Sequence, residues 1–295
     1  MLRVSYEVRE ALRAGGPVVA LETTIVAHGF PAGEGIEVGR ECEARVREAG
    51  AVPATVAVLD GELVVGLTEA ELERVAAAGP EARKAGPREI GLCVGRGEIG
   101  ATTVGGTLVA CRHAGVRFMA TGGLGGVHRG WTERPDVSAD LGQLARTPVL
   151  VVCSGIKSLL DVTATMEVLE TLGVPVVGYE TNQLPLFYTA RGGPPVPSVD
   201  EGEAVRVAQA HWRLSDSAVV VTRPPEESLD DIEPLIENAL READRQGVHG
   251  QRVTPFVLAF LHERSGGRTL RVNRRLAADN AALAGRLALA FSASG

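Results

Sequence analysis

The chain has 295 residues, of which 45% are hydrophobic, 23% charged and only 4% aromatic. This apolar content excludes a disordered protein, and a chain of this length buries enough surface for one sizeable core without disulfides or structural metals. The net charge of −7 argues against a basic face for a nucleic-acid polymer, although it leaves a single nucleotide open as a ligand.

The cysteines, the N-terminal segment and the apolar runs indicate the cellular compartment of the protein. The four cysteines are widely spaced and form no Cys-x-x-Cys motif, so we expect reduced thiols. The opening segment MLRVSYEVREALRAGG is charged throughout and lacks the apolar core of a signal peptide. No apolar run approaches the roughly 18 residues that a membrane-spanning helix needs. The sequence therefore predicts a soluble, cytoplasmic protein.

Short valine-rich runs alternate with longer segments of helical period. The predicted strands are 17–23, 54–60, 62–67, 89–95, 117–123, 148–155, 174–181 and 218–224, and the predicted helices are 34–49, 68–78, 103–113, 157–172, 199–213, 228–246 and 275–291. Several strands are apolar on successive residues, which is typical of a parallel sheet buried on both faces. The dipeptide at 60–61, Asp-Gly, predicts one antiparallel hairpin. We expect a single α/β domain over 1–295, with three α/β/α layers, a mostly parallel central sheet and a small antiparallel ribbon.

Two glycine patterns follow along the chain. The segment 95–100 matches GxGxxG between a predicted strand and a predicted helix, but no Asp or Glu lies between Glu98 and Glu133 to bind a ribose, which disfavours NAD or FAD. The segment 121–130, TGGLGGVHRG, has five glycines together with His128 and Arg129. Glycines let a backbone approach a ligand closely and expose its N–H groups, so this loop indicates an anion or phosphate site. An ordinary flexible turn is the alternative.

Two carboxylates come directly after this loop, in the segment DVSAD. Asp136 and Asp140 are four residues apart, and carboxylates at this spacing suit magnesium or manganese. Equally, Asp136 or Ser138 could do no more than cap the next helix. The spacing alone leaves both interpretations open.

Lys157 follows a buried strand and is predicted to lie in the first turn of the next helix. The positive end of that helix dipole, together with partial desolvation, would lower the pKa of its amine, as a Schiff-base nucleophile requires. The alternative is an exposed lysine at a helix start. Glu22, 102–103, Thr121 and Lys157 all fall at carboxyl ends of predicted strands, where open α/β sheets bind ligands. For Glu22 the alternative is a solvated strand end.

Six segments in one order resemble the pseudouridine-5′-phosphate glycosidase family: LETTIVAHGFP (21–31), GATTVGGT (100–107), TGGLGGVHRG (121–130), DVSADLGQLA (136–145), CSGIKSLLD (153–161) and TPFVLAFL (254–261). The resemblance covers about residues 5 to 292. It implies reversible cleavage of the C–C glycosidic bond of pseudouridine 5′-phosphate to uracil and ribose 5-phosphate, through a lysine–sugar imine. It also implies one Mn²⁺ per subunit, a homotrimer and a role in pseudouridine catabolism.

The resemblance assigns roles to particular residues. It implies that Lys157 is the nucleophile, that Glu22 is the proton donor and that Asp136 binds the metal. It also implies substrate contacts at Lys84, Val104, Ser138, Ala139 and Asp140. From their own positions, at a strand end and in the glycine-rich loop, Thr121 and His128 are further expected substrate contacts. Departures from the family pattern, such as Thr23 for serine and the proline-rich segment 191–200, remove no chemical group from this site. Two other classes stay open: a Schiff-base enzyme for another phosphosugar, and a non-catalytic nucleotide-binding module.

Overall fold

The computed structural model describes residues 1–31, 33–133, 135–248 and 250–294. The helices are α1 (Tyr6–Arg13), α2 (Thr24–His28), α3 (Gly35–Glu48), α4 (Glu69–Ala78), α5 (Pro87–Arg96), α6 (Val104–Ala114), α7 (Ala139–Leu144), α8 (Val162–Thr171), α9 (Glu201–His211), α10 (Glu233–Arg245), α11 (Val253–Arg264) and α12 (Arg268–Ser292). The strands are β1 (Leu2–Val4), β2 (Val18–Leu21), β3 (Val52–Leu59), β4 (Glu62–Val65), β5 (Arg83–Ala85), β6 (Gly100–Thr102), β7 (Phe118–Ala120), β8 (Val127–His128), β9 (Leu150–Cys153), β10 (Leu160–Asp161), β11 (Val176–Tyr179), β12 (Ser198–Val199) and β13 (Val219–Thr222).

One large sheet runs through the described residues in the order β1-β4-β3-β2-β7-β9-β13-β11-β12, with β6 beside β3 and β5 beside β6. From β3 to β12 in this order the pairs are parallel, whereas β3 pairs antiparallel with β4 and β6. The turn between β3 and β4 has positive φ at Asp60 and Gly61, as the hairpin prediction requires. A separate antiparallel pair joins β8 to β10. The predicted α/β class is therefore confirmed.

Each face of the sheet buries its own apolar cluster, because side chains along a buried strand alternate between the two faces. On β2, Val19 and Leu21 belong to one cluster, which also receives buried residues of α3, α9, α10, α11 and α12. Val18 and Ala20 belong to the other, together with residues of α1, α5, α6, α7 and α8. Helices thus cover both faces, as the predicted three layers require.

The predicted strand over 89–95 is wrong, because these residues lie in α5. Pro87 occupies the first turn and Gly97 adopts the left-handed conformation at the C-cap, while Ile90 and Cys93 are buried one turn apart. A short apolar run does not by itself distinguish a strand from a buried helical face. The GxGxxG pattern consequently spans the end of α5 and the start of β6, which contradicts the strand–turn–helix context of a dinucleotide site.

The predicted helix over 157–172 begins later than expected, at Val162. Asp161 caps α8 by accepting a 2.9 Å hydrogen bond from the Ala164 N–H. Lys157 therefore lies in the loop before β10, and its predicted position in the first turn of a helix, beside the helix dipole, is wrong. Helices α1, α2 and α11 were not predicted from the sequence.

The cysteines are buried and form no disulfide. Burial raises the pKa of the Cys42, Cys111 and Cys153 thiols to about 12, so these groups stay protonated at neutral pH. Within the described ranges, no helix has both the length and the apolar character needed to cross a bilayer.

Candidate active site

A crevice opens where the order of connections along the sheet reverses. From β2 the chain crosses to β3 on one side, whereas from β7 it crosses to β9 on the other. Such a switch point, at the carboxyl ends of the strands, is where open α/β sheets bind ligands. Glu22 directly follows β2 and the glycine-rich loop directly follows β7, so the fold brings both to this crevice.

The crevice contains a cleft of about 510 Å³, a volume that suits a small-molecule ligand. Nine of the ten predicted site residues line it: Glu22, Lys84, Val104, His128, Asp136, Ser138, Ala139, Asp140 and Lys157. Residues that the sequence did not predict also line it, among them Thr24, His28, Arg88, Phe187, Leu258 and Asn273. For Thr24, His28 and Leu258 a signal existed, because all three lie within segments that carry the family resemblance.

Two threonine hydroxyls hold the Glu22 carboxylate. Thr121 Oγ1 donates to Oε1 and Thr24 Oγ1 donates to Oε2 of this side chain, which is only 8% exposed. Each hydroxyl has a single proton to donate, so both carboxylate oxygens act as acceptors and the carboxylate is fixed in one orientation. Thr121 itself is buried behind Glu22 and, in the part of the chain that the structure describes, is not among the residues lining the cleft.

Thr23 and Thr102 set the distance between the ends of β2 and β6. The Thr102 N–H donates to the Thr23 hydroxyl at 2.9 Å, and both hydroxyls donate to the carbonyl of Val56 on β3 at 2.7 Å. Strand β6 therefore continues alongside β3 where β2 stops. This arrangement brings Thr103 and Val104, at the start of α6, to the cleft.

Asp140 connects the start of α6 to the glycine-rich loop, and both line the cleft. Its Oδ1 accepts a 2.7 Å hydrogen bond from the Gly105 N–H in the first turn of α6, and its Oδ2 accepts one of 3.1 Å from the Gly125 N–H. A carboxylate is favoured at a helix N-terminus by the helix dipole. Ser138 caps α7 by accepting from the Asp140 N–H at 3.2 Å, so the capping interpretation holds for Ser138.

The chain contains only two lysines, Lys84 on β5 and Lys157, and both line the cleft. Burial lowers the pKa of Lys84, and the positive charge of Lys157 lowers it further, while Asp140, Glu22 and Asp136 act in the opposite direction. The two amines are therefore close enough to interact. The scarcity of lysine is a signal in the sequence that could have singled out Lys84 without any family resemblance.

His128 contributes a neutral imidazole beside these amines. Burial lowers its pKa, and although Asp136 counteracts this effect, Lys84 and Lys157 reinforce it. The Nδ1 atom of His128 lies 3.8 Å from Oδ2 of Asp136. At neutral pH the imidazole can consequently accept one hydrogen bond and donate another.

Asp136 fits a hydrated divalent cation better than a closed metal cage. The described residues contain no group of three or more His, Cys, Asp or Glu side chains that could hold a metal ion. However, Mg²⁺ and similar hard cations usually keep several waters and bind one or two carboxylates. The Asp136 side chain lines the cleft and is 32% exposed, so it can bind an ion that retains its waters.

The glycines after β7 are needed by close contacts within the chain. A Cβ on Gly123 would lie 2.6 Å from Cδ2 of Phe187, and a Cβ on Gly126 would overlap the side chain of Thr165. The Val127 N–H donates to Thr165 Oγ1 at 2.9 Å. The sequence indicates that these glycines allow a ligand to approach the backbone. In the structure, at least two of them allow Phe187 and Thr165 to do so.

Comparison with known proteins shows to which family the chain belongs. The model of the family described as "Indigoidine synthase A like protein" matches residues 7–290. The chain belongs to this family. The matched range includes every predicted site residue.

Curated relatives of this chain within the family share one named activity. A protein from Myxococcus xanthus is 45% identical over 99% of this chain and 98% of its own length, and one from Streptomyces griseus is 48% identical over 97% and 91%. Both are named pseudouridine-5′-phosphate glycosidase. The resemblance seen in the sequence is confirmed, and the chain is an enzyme.

Two solved structures share the fold over nearly the whole chain. The prealnumycin C-glycosynthase AlnA, solved in complex with ribulose 5-phosphate, matches with a TM-score of 0.91 and 39% identity, covering 100% of this chain and 98% of its own. An indigoidine synthase A-like protein from Thermotoga maritima matches with a TM-score of 0.89 and 38% identity, covering 99% and 97%.

Proposed function

We propose that this enzyme reversibly cleaves the C–C glycosidic bond of pseudouridine 5′-phosphate, giving uracil and ribose 5-phosphate. The observation that carries the proposal is that Glu22, Lys84 and Lys157 line one cleft in a chain whose full-length relatives are named for this reaction. The AlnA complex with a pentose phosphate adds support, because that enzyme has the same fold at 39% identity.

A lysine amine suits this bond because a carbon–carbon glycoside offers no glycosidic nitrogen to protonate. In the proposed reaction Nζ of Lys157 bonds to the anomeric carbon, the bond to the ring oxygen breaks, and that oxygen takes a proton from solvent. The uracil carbon is then protonated. The carbon–carbon bond breaks as the nitrogen lone pair forms an imine, and water hydrolyses the imine to ribose 5-phosphate.

Glu22 is the proposed proton carrier. Its carboxylate can take the proton that the attacking amine loses and return it to the uracil carbon. The hydroxyls of Thr24 and Thr121 hold the carboxylate in place while it does so. A carrier that does not rotate meets both the amine and the base in the same geometry.

The other predicted residues bind the phosphate and the cation. We assign the phosphate to Lys84, Ser138 and the glycine-rich loop, and the cation, Mn²⁺, to Asp136; Val104, His128, Ala139 and Asp140 complete the substrate contacts. When bound, the cation supplies positive charge beside the substrate. Binding the remote phosphate tightly helps to orient the reacting carbon. Homotrimeric assembly, a cytoplasmic location and a role in pseudouridine catabolism are further expectations from the resemblance.

The test uses the scarcity of lysine. Wild-type protein is incubated with pseudouridine 5′-phosphate, with and without Mn²⁺, and free uracil is measured; borohydride reduction with ribose 5-phosphate then traps the sugar, and peptide mass spectrometry locates it. We expect the adduct on Lys157, its loss in Lys157→Ala and its retention in Lys84→Arg. An adduct or normal turnover in Lys157→Ala would refute the nucleophile assignment.

The fold match to AlnA favours a second candidate, the synthesis of a C-glycoside from a pentose phosphate and an acceptor other than uracil. This activity would use the same lysine. Condensation assays with ribose 5-phosphate and either uracil or another carbon nucleophile separate the two. The proposed function requires uracil to be the better acceptor. Ligand binding that survives Lys157→Ala, with no turnover in wild type, would instead indicate a non-catalytic binding module.

A further inference from the structure

Arg129 binds the loop that carries Lys157. Its Nη2 donates a 2.6 Å hydrogen bond to the carbonyl of Ser158, and its Nε donates one of 3.3 Å to the carbonyl of Leu160. Its Nη1 lies 2.8 Å from Oε1 of Glu233, at the start of α10. One guanidinium therefore joins the end of the glycine-rich loop, the lysine loop and a helix.

The lysine loop is also held by the Ser158 hydroxyl, which donates to the Leu186 carbonyl, and by backbone contacts. The Lys157 N–H donates to the Leu124 carbonyl at 3.3 Å, and the Lys157 carbonyl accepts from the Leu160 N–H at 2.9 Å. Residues 160–161 pair with 127–128 across β8 and β10. These contacts fix the backbone at and after Lys157, and Arg129 supplies donors to two carbonyls within the same four residues.

The acceptors of Arg129 explain why this position needs an arginine. The residues Ser158 and Leu160 are buried, and a buried carbonyl without a donor costs free energy. A planar guanidinium presents five N–H donors in a fixed fork, so it serves both carbonyls and Glu233 at once, whereas an ammonium is a compact point charge that does not match this geometry. In the described ranges Arg129 is not among the residues lining the cleft, so its charge is directed at the chain rather than at a phosphate.

We propose that Arg129 is a positioning residue for Lys157: it fixes the loop after the lysine so that the amine meets the anomeric carbon. This inference rests on the proposed function, in which Lys157 is the nucleophile. A displacement of about 1 Å in a reacting group can cost on the order of 100-fold in rate. Loss of the guanidinium fork should consequently slow imine formation more than it weakens substrate binding.

The decisive measurement is the rate of borohydride-trapped adduct formation in Arg129→Lys, at saturating ribose 5-phosphate and alongside the KM. We expect the rate to fall roughly tenfold to 100-fold while KM changes less than about threefold. Arg268→Lys is the matched control, because Arg268 makes a double contact with Asp231 on the exposed surface. It should trap at the wild-type rate.

Two further variants keep the inference falsifiable if Arg129→Lys folds poorly. Glu233→Gln leaves both carbonyl contacts in place but removes the charge that holds the guanidinium, and a fall of about threefold in trapping rate is expected. In Arg129→Ala, added guanidinium ion should restore part of the rate, which a general loss of stability would not allow. Unchanged trapping in Arg129→Lys or Glu233→Gln, or a rise in KM alone, would overturn the inference. If wild type forms no adduct on Lys157, the proposed function itself fails.

Discussion

The Thr121 hydroxyl donates a hydrogen bond to Oε1 of Glu22, across 99 residues of sequence. Thr121 begins the glycine-rich loop after β7, and Glu22 directly follows β2, the neighbouring strand. The contact therefore joins the two sides of the switch point. It makes Thr121 a support for the carboxylate, whereas the sequence predicts that Thr121 contacts the substrate.

Replacing Thr121 by valine tests this support. The change preserves the shape of the side chain but removes the hydroxyl, leaving Oε1 of Glu22 without this donor. A hydrogen bond to a charged group is worth ~1.5–3 kcal/mol, so we expect kcat to fall roughly tenfold to 100-fold. KM should change little, because Thr121 does not line the cleft. Steady-state kinetics of uracil release measure both constants.

Thr121→Ser restores the hydroxyl and should recover most of the kcat. Thr171→Val is the matched control, since that hydroxyl donates to a backbone carbonyl on the exposed side of α8. Equal kcat values for the valine and serine variants at position 121 would contradict a role for the hydroxyl.

The fold was predictable where the local pattern has one interpretation. Strands β2, β9 and β13 are buried on both faces, so their apolar residues run without alternation and indicate a parallel sheet. The run over 89–95 looks the same but belongs to a helix, because its flanking Pro87 and Gly97 act as helix boundaries. Local periodicity carries no information on which of these environments the tertiary structure provides.

The site was predictable as a set of residues but not as a set of contacts. Their positions at strand ends and the family resemblance predict Glu22 and Lys157 as site residues, and both line the cleft. The hydrogen bonds that Asp140 accepts from the Gly105 and Gly125 N–H groups span 35 and 15 residues of sequence, and no sequence pattern predicts them. Such contacts arise only once the loops are packed against one another.

The pH dependence of substrate binding should report the charge of Lys84. Burial and the nearby Lys157 lower the pKa of Lys84, so its amine loses the proton at a lower pH than an ordinary lysine. If the amine binds the phosphate, KM for the phosphorylated substrate rises as the pH increases through this lowered pKa. In Lys84→Arg the guanidinium stays charged, and the alkaline rise in KM should disappear. The same alkaline rise in wild type and Lys84→Arg would contradict this assignment.

Asp136 should account for binding of Mn²⁺. We expect Asp136→Asn to raise the dissociation constant for Mn²⁺ by at least about tenfold, because the carboxylate charge is the main attraction for a hydrated cation. Titration followed by electron paramagnetic resonance of free Mn²⁺ measures this constant without any turnover. Asp216→Asn, on the exposed surface, is the control. Equal dissociation constants in the Asp136 and Asp216 variants would place the ion elsewhere.

His262 makes the packing of α11 sensitive to acid. Its ring stacks on Phe30 with centroids 6.3 Å apart, and among the described residues its Nε2 atom is buried without a hydrogen-bond partner. Burial lowers the pKa of His262 to about 4. The same helix lines the cleft through Leu258, so its packing bears on the site.

The sign of the effect follows from proton binding. Between pH 6.5 and about 4 the unfolded chain binds a proton at His262 that the folded chain does not, so the free energy of unfolding falls as the pH decreases through this window. The full shift corresponds to roughly 3 kcal/mol, and solvent screening of the partly exposed ring reduces this figure. We expect His262→Phe to gain up to this amount relative to wild type between pH 7.5 and pH 4, measured by urea unfolding at both pH values. His113→Phe, on the exposed face of α6, should show no such gain. A stability difference between wild type and His262→Phe that is the same at both pH values would show that the buried imidazole does not cause the acid sensitivity.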